Sequence, residues 1–313
     1  MGAGWARNVL DTCLRLRTGD DALILVDEPL RDAGEALCAA ARELNAWDAS
    51  LRVLEVQGRP LTLISESLLK QVSRADVIVS LLGEIDLEQE SAPLRAAVAA
   101  FRAAGRGRWA FGAFIDADVL QHELNADYQE VARVAEGLAQ KLQGVEQVRL
   151  TSPTGTDLTF HIGARPIHTE TGILTSPGDF GNLPAGEVYV APHEGSAQGT
   201  LVVDLSLGDL TLTKPVTLSF RGGRVVDIAG GAAARELEHR LESDPWSRTV
   251  GEFGLGANPW ARICRRVTID EKVLGTAHIG LGANRQFGGS NPAVTHYDCV
   301  IRGPSITVDG RPM

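Results

Sequence analysis

Short apolar runs alternate with amphipathic stretches through the first half of the chain, and the pattern changes near residue 146. Residues 22–26 (ALILV), 51–56, 75–82 and 109–114 are apolar runs of strand length, while 31–44, 92–104 and 127–142 place apolar positions at helical spacing. Strands separated by helices have both faces covered and form parallel sheets. Residues 1–145 are therefore expected to fold as a doubly wound parallel-sheet α/β domain. From 146 to 313 the chain reads as strand pairs separated by Gly, Asp and Asn turns, as in VRLTSPTGTDLTFHI and KPVTLSFRGGRVVDI, with one helix at 232–242. That half is expected to be a β-rich α+β domain. A nucleotide-binding sheet carries a glycine-rich turn after its first strand, but here the chain reads VDEPLRDAG, with acidic residues where a phosphate would sit. The first domain is expected to be a scaffold or a dimerisation unit.

Composition narrows the function. The 313 residues are 44% hydrophobic, enough for a core in each half, and the formal net charge of -10 opposes binding to a polyanion. Nucleic acid is not an expected partner. The four cysteines, Cys13, Cys38, Cys264 and Cys299, include no CxxC pair, and the amino terminus has no apolar run resembling a signal peptide. No stretch of about 18 apolar residues offers a membrane span. A cytoplasmic protein is expected.

Of the 34 glycines, many crowd into residues 251–289, a density that marks an irregular, convergent region. Candidate chemistry lies in and around it. His296 and Asp298 sit in the β-prone run VTHYDCVI, so alternation places them on one face and Tyr297 on the other. A plain His–Asp hydrogen bond fits that pair as well as a metal does. His278, in GTAHIGLG, is bracketed by small residues; two imidazoles and one carboxylate are the ligand set of several zinc and ferrous sites. Glu187 in NLPAGEVYVAP and Glu252 in GEFGLG are carboxylates in apolar settings. Burial there costs several kcal/mol, roughly, unless a cation partners them, either an arginine such as Arg262 or a metal. His193 and His168 lie in turn-rich segments, where a histidine binds substrate or faces solvent, and His122 and His239 read as surface groups. No GxSxG elbow or HExxH helix occurs.

The motifs GEVYVAP, GEFGLGAN, DEKVLGTAHIGLG and HYD, in that order and spacing, resemble the metallo-aminopeptidase family that includes aminopeptidases T and S. The same superfamily contains 2,5-dihydroxypyridine dioxygenase, a ferrous enzyme. The likeness covers roughly residues 145–313, and the first half agrees only in its α/β character. In the peptidase branch the resemblance implies two divalent ions (zinc, cobalt or manganese) held by Glu187, Glu252, His278, His296 and Asp298, a peptide substrate and a homodimer. Glu252 would be a ligand or shuttle the proton. The peptidases place a tyrosine seven residues after the HIxLG histidine; this chain has Arg285 there, which would either stabilise the oxyanion in its stead or form a surface salt bridge. In the dioxygenase branch the resemblance implies one Fe(II) on His278, His296 and Asp298, with His193 as a substrate contact or an acid–base group. A non-enzymatic, metal-stabilised dimeric binding protein is the third reading. The aminopeptidase is the preferred one.

Overall fold

The computed structural model describes residues 4–54, 63–83, 85 and 87–313. The chain forms two compact units, Met1–Ala132 with Thr171–Ala185, and Arg133–Glu170 with Gly186–Met313. No helix among the described residues is long and apolar enough to cross a membrane.

In the first unit, β1 (Asp21–Asp27), β2 (Asp48–Leu54), β3 (Val77–Leu82) and β4 (Arg108–Ala113) form a parallel sheet in the order β2-β1-β3-β4. The last two positions of the expected strand 51–56 lie outside the described residues. Successive side chains point to opposite faces, and the sheet uses both. Leu23, Leu25 and Ile78 join Val72 of α3 (Glu66–Arg74) and Phe101 of α4 (Leu87–Ala104) in one cluster, whereas Val26 and Leu51 approach Gly34 of α2 (Arg31–Glu43) so closely that a Cβ there would overlap them. At the carboxyl end of β1, Asp27 accepts from the Gly83 N–H at 2.7 Å. A carboxylate thus stands at the position where a doubly wound sheet would receive a phosphate.

A boundary at 145/146 does not describe the two units. The segment 171–185 returns to the first one, because β8 (Phe180–Asn182) pairs with the edge of β4 and the Phe180 ring stands edge-on to Trp109 at 5.4 Å. Three residues are too short to show a hydrophobic period, so nothing in FGN announces a strand.

The second unit is built from two antiparallel sheets. One has the order β13-β12-β10-β6-β5-β17-β18, comprising Arg224–Gly230, Val216–Arg221, Gln198–Val203, Asp157–His161, Gln147–Thr151, Ser305–Val308 and Arg311–Pro312. The other has the order β11-β16-β15-β14-β9-β7, comprising Ser206–Leu207, His296–Arg302, Thr276–Gly282, Val250–Gly256, Glu187–Val190 and His168–Glu170. They share one core, in which Leu150, Leu158 and Phe160 of the first sheet meet Val188, Phe253, Ile279, Cys299 and Ile301 of the second, and Phe160 and Phe253 lie 5.0 Å apart. Leu142 of α6 (Tyr128–Leu142) and Leu237 and Leu241 of α7 (Ala232–Glu242) complete the core.

Because Val188, Phe253, Ile279 and Cys299 face the core, the two-residue period turns Glu187, Glu252, His278, His296 and Asp298 to the opposite face. Each of the five is paired with a glycine on the adjacent strand: Glu187 with Gly256, Glu252 and Asp298 with Gly280, His278 with Gly254, and His296 with Gly282. The expectation of an irregular region is corrected for β14 and β15 and holds for the segments between and after them. Gly254, Gly256, Gly280 and Gly282 sit in paired strand positions and clear the site face of side chains, while the register shifts at Gly251. A Cβ at Gly280 would lie 2.6 Å from two atoms of the His296 ring and 2.8 Å from the Glu252 Cβ, and one at Gly254 would overlap the His278 ring.

Two substitutions separate the faces. Phe253→Ala removes a core ring and is expected to lower stability by about 3–5 kcal/mol in urea unfolding. Gly254→Ala is expected to shift the His278 ring resonances and weaken Co2+ binding while the far-ultraviolet circular dichroism stays unchanged.

Candidate metal centre

The five residues converge from four strands. Glu252 is central: its Oε1 lies 3.3 Å from His278 Nε2 and its Oε2 lies 3.2 Å from His296 Nε2. His278 Nε2 is also 3.4 Å from Glu187 Oε2, and His296 Nε2 is 3.1 Å from Asp298 Oδ1. Three groups result, each with one ligand atom per residue and all of these atoms within 4.8 Å: Glu187, Glu252 and His278; Glu252, His296 and Asp298; and Glu271, His278 and Asp298. The two imidazoles fall in different groups, and Glu252 is common to the first two.

The cation beside Glu187 is a lysine. Lys272, with a side chain only 2% exposed, places Nζ 2.5 Å from Glu187 Oε1, 2.7 Å from Glu170 Oε2 and 2.9 Å from Glu271 Oε1. Glu170, Glu271 and Lys272 are the members that residue-by-residue reasoning missed. Glu271 and Lys272 stand in the DEKVLG motif as one more acid and base on a turn. Glu170 shares its face of β7 with His168, a period-2 signal too short to read. Both become visible only through the pairing of β7 with β9, which sets Glu170 directly opposite Glu187.

Electrostatics bind the cluster together. Burial would lower the pKa of His278, but the hydrogen bond to Glu252 and the charges of Glu187 and Asp298 outweigh it and push the imidazole up to about 9. Burial opposes the charge of His296 in the same way, yet Asp298 and Glu252 raise it well above the ordinary range. Burial would raise Glu252; the bonds from both imidazoles hold it below the usual carboxylate range instead. Burial pushes Glu187 up more than Lys272 draws it down, and does the same to Glu271. These are acids and bases in need of a shared counter-charge.

The donor set fits divalent ions. Glu187 Oε2 and His278 Nδ1 are buried without a hydrogen-bond partner among the described residues, and unmet polar atoms of that kind carry a desolvation cost that a bound cation removes from the carboxylate. His296 Nδ1 donates to the Ala283 carbonyl at 2.8 Å, which turns Nε2 toward the carboxylates in the orientation of a ligating imidazole. Its ring is further fixed by aromatic contacts: Phe287 stands edge-on to His296 at 5.9 Å, Tyr189 meets Phe287 at 5.7 Å, and His168 stacks on Tyr189 at 5.2 Å. The side chains of His296 and Asp298 are 24% and 21% exposed, against 1% for His278, so solvent reaches the centre from their end.

The two remaining candidates make their hydrogen bonds elsewhere. Arg285 is exposed on the turn Arg285–Phe287 and donates to the Ser290 carbonyl at 3.4 Å. His193 Nε2 donates to the Gly163 carbonyl at 2.8 Å. His122 and His239 are on the surface as expected. The turn carrying Arg285 and Phe287 is secured by Glu194, which accepts from the Ser290 N–H at 2.5 Å, from Asn284 Nδ2 at 3.2 Å and from Arg165 Nη2 at 2.6 Å. Burial would raise the Glu194 carboxyl, but these bonds hold it at about 2.

Comparison with known proteins places the chain in a family. Residues 3–313 match the family described as NicX: 2,5-dihydroxypyridine 5,6-dioxygenase. The 2,5-dihydroxypyridine 5,6-dioxygenase of Pseudomonas putida is 27% identical over 187 residues, 54% of this chain and 53% of that protein. Aminopeptidase T of Thermus thermophilus is 29% identical over 163 residues, 45% of this chain and 38% of that protein. The matches thus span about half or less of the length of these curated relatives. Two solved structures share the fold: that of the P. putida dioxygenase, with a TM-score of 0.75, 20% identity and coverage of 99% of this chain and 94% of that one, and that of wild-type AmpT from T. thermophilus, with a TM-score of 0.75, 17% identity and coverage of 99% and 96%. Matched from residue 3 to its end, the chain belongs to the NicX family, in a superfamily that holds both 2,5-dihydroxypyridine dioxygenase and aminopeptidases T and S.

Proposed function

We propose that the chain is a metal-dependent hydrolase of the aminopeptidase type whose centre takes two divalent ions. The observation that carries this reading is the division of Glu252, with one oxygen toward each imidazole. A carboxylate so placed would help hold two ions, one with Glu187 and His278 and the other with His296 and Asp298. Charge supports the same count. Glu170, Glu187, Glu252, Glu271 and Asp298 face one ammonium, that of Lys272, leaving four formal negative charges when the imidazoles are neutral. Two divalent cations cancel that excess, whereas one leaves half of it in a poorly hydrated site.

Ions held there would supply Lewis acidity, lowering the pKa of a water and polarising a peptide carbonyl. The chain's own groups do the rest. With both oxygens facing imidazoles, Glu252 is a ligand and not a proton shuttle. Glu271, within reach of His278 and Asp298 and raised by burial, is the carboxyl placed to accept and return a proton. The peptide enters from the more exposed side of His296 and Asp298, where Phe287 and Tyr189 form an aromatic wall. No step is assigned to Arg285, whose guanidinium is engaged in its own turn.

A second reading is a ring-cleaving Fe(II) dioxygenase, favoured by the family description and by the P. putida relative. It requires His278 and His296 on one ion, which their separate groups do not favour.

Metal analysis distinguishes the two. Two zinc, cobalt or manganese equivalents per chain with hydrolysis of Leu-p-nitroanilide are expected; one iron equivalent with oxygen uptake on a dihydroxylated ring, and no peptide hydrolysis, would overturn the peptidase. Glu271→Gln is expected to lower kcat by about 10²–10⁴-fold with both ions retained.

The raised imidazoles set the pH dependence. Both ligands bind an ion only after losing a proton, and His278 in the metal-free protein loses its proton near pH 9. Affinity therefore rises with pH below that value, by about tenfold per unit for each protonated imidazole. Calorimetry at pH 7 in buffers of different ionisation enthalpy is expected to show proton release on metal binding, and a pH-independent affinity between 6 and 8 would contradict the assignment.

A further inference from the structure

Lys272 is the one fully buried cation of the centre that the proposed chemistry does not consume. It follows the short helix α8 (Val267–Asp270), in the connection between β14 and β15, and its backbone is fixed there: its carbonyl accepts from the Asn258 N–H at 2.8 Å and its N–H donates to the Ile269 carbonyl at 3.0 Å. An ammonium has three donors. Those of Lys272 meet three carboxylates, Glu170, Glu187 and Glu271, so its hydrogen-bonding capacity is filled.

Two consequences follow for Glu187. Its strand pairing sets it directly opposite Glu170, and like charges in that position repel. Lys272 touches both and removes the repulsion. It also divides the oxygens of Glu187. Oε1 is taken by the ammonium at 2.5 Å, while Oε2, buried and without a hydrogen bond, is left 3.4 Å from His278 Nε2. A glutamate with both oxygens open can clamp an ion with both or turn to offer either. Glu187 is denied that freedom.

We propose that Lys272 is a positioning residue of the metal centre, reserving Glu187 Oε2 as the single oxygen presented to an ion shared with Glu252 and His278. This rests on the two-ion reading above. The group of Glu252, His296 and Asp298 contains no partner of Lys272, so the effect falls on one ion position and not on the other.

The test is titration of the metal-stripped full chain with Co2+, followed by calorimetry and by the visible absorption of the bound ion. Wild type is expected to take up two equivalents. In Lys272→Met, one equivalent is expected to weaken by roughly 10- to 100-fold with an altered visible band, while the other keeps its affinity and spectrum. Since Lys272→Met also frees the Glu170–Glu187 repulsion and can impair folding, the double variant Lys272→Met/Glu170→Gln is measured beside it. That variant removes the repulsion yet leaves Glu187 unanchored, so the same split between the two equivalents is expected. Undiminished affinity of both equivalents, or equal weakening of both in the double variant, overturns the proposal. Loss of folding in both variants, read from thermal unfolding, assigns Lys272 a structural role and overturns it too. A single Co2+ equivalent in wild type overturns the two-ion reading itself, an outcome separate from the others.

Discussion

Everything at this centre depends on concentrating four carboxylates, Glu170, Glu187, Glu252 and Asp298, on one face of a sheet whose other face is a packed apolar core. The two faces are kept apart by the strand period alone: Phe253, Ile279 and Cys299 point inward, and Glu252, His278 and Asp298 point outward from alternate positions on the same strands. A single-residue slip of β14 would bury the Glu252 carboxylate, and one of β15 the His278 imidazole, among apolar side chains, so the hydrophobic core itself specifies the register of the ligands. Stability and chemistry are thereby written on the same three strands, and the core stands behind every ligand as its support.

Glycine is the second half of that arrangement. Imidazoles and carboxylates on neighbouring strands would be pushed apart by any side chain between them. Each ligand has a glycine as a ladder partner on a neighbouring strand, and this is what brings Nε2 of two histidines to the two oxygens of one glutamate. Glycine weakens a strand interior, through entropy and missing packing. β14 and β15 tolerate it because they are central strands, flanked by β9 and β16, with their inner face fully packed.

The sequence was readable where one residue's meaning is local. Alternation in VTHYDCVI placed His296 and Asp298 together, the helix at 232–242 has those bounds, and the apolar runs of the first half mark four parallel strands. It was unreadable where meaning lies in a pairing between distant strands. The glycine-dense stretch reads as irregular because composition does not show that four of its glycines, Gly254, Gly256, Gly280 and Gly282, face ligands. Glu170 could not be joined to Glu187 without the β7–β9 register, nor Lys272 to either, and β8 carries too few residues to reveal that the chain returns to the first sheet. An arginine is the usual choice for a buried carboxylate; the compact ammonium of Lys272 instead serves three carboxylates at once, which a planar guanidinium does less readily.

A superfamily that spans peptide hydrolysis and ring-cleaving oxidation needs one frame able to hold different ion sets. This sheet supplies it, since Glu252 and Asp298 each fall in one group with His278 and in another with His296. On the proposed reading, Glu252 would be split between two ions, which would neutralise the nearby negative charge and suit the centre to hydrolysis. Drawing both imidazoles to one ion would free an oxygen of Glu252 and leave Glu187 to Lys272 alone, which turns the same residues into a mononuclear site with uncompensated carboxylates beside it. The choice between the chemistries therefore falls on the charge around Glu187. Lys272 compensates part of that charge but not Glu252 and Asp298, and on the proposed hydrolase reading the remaining excess would be met by a second cation.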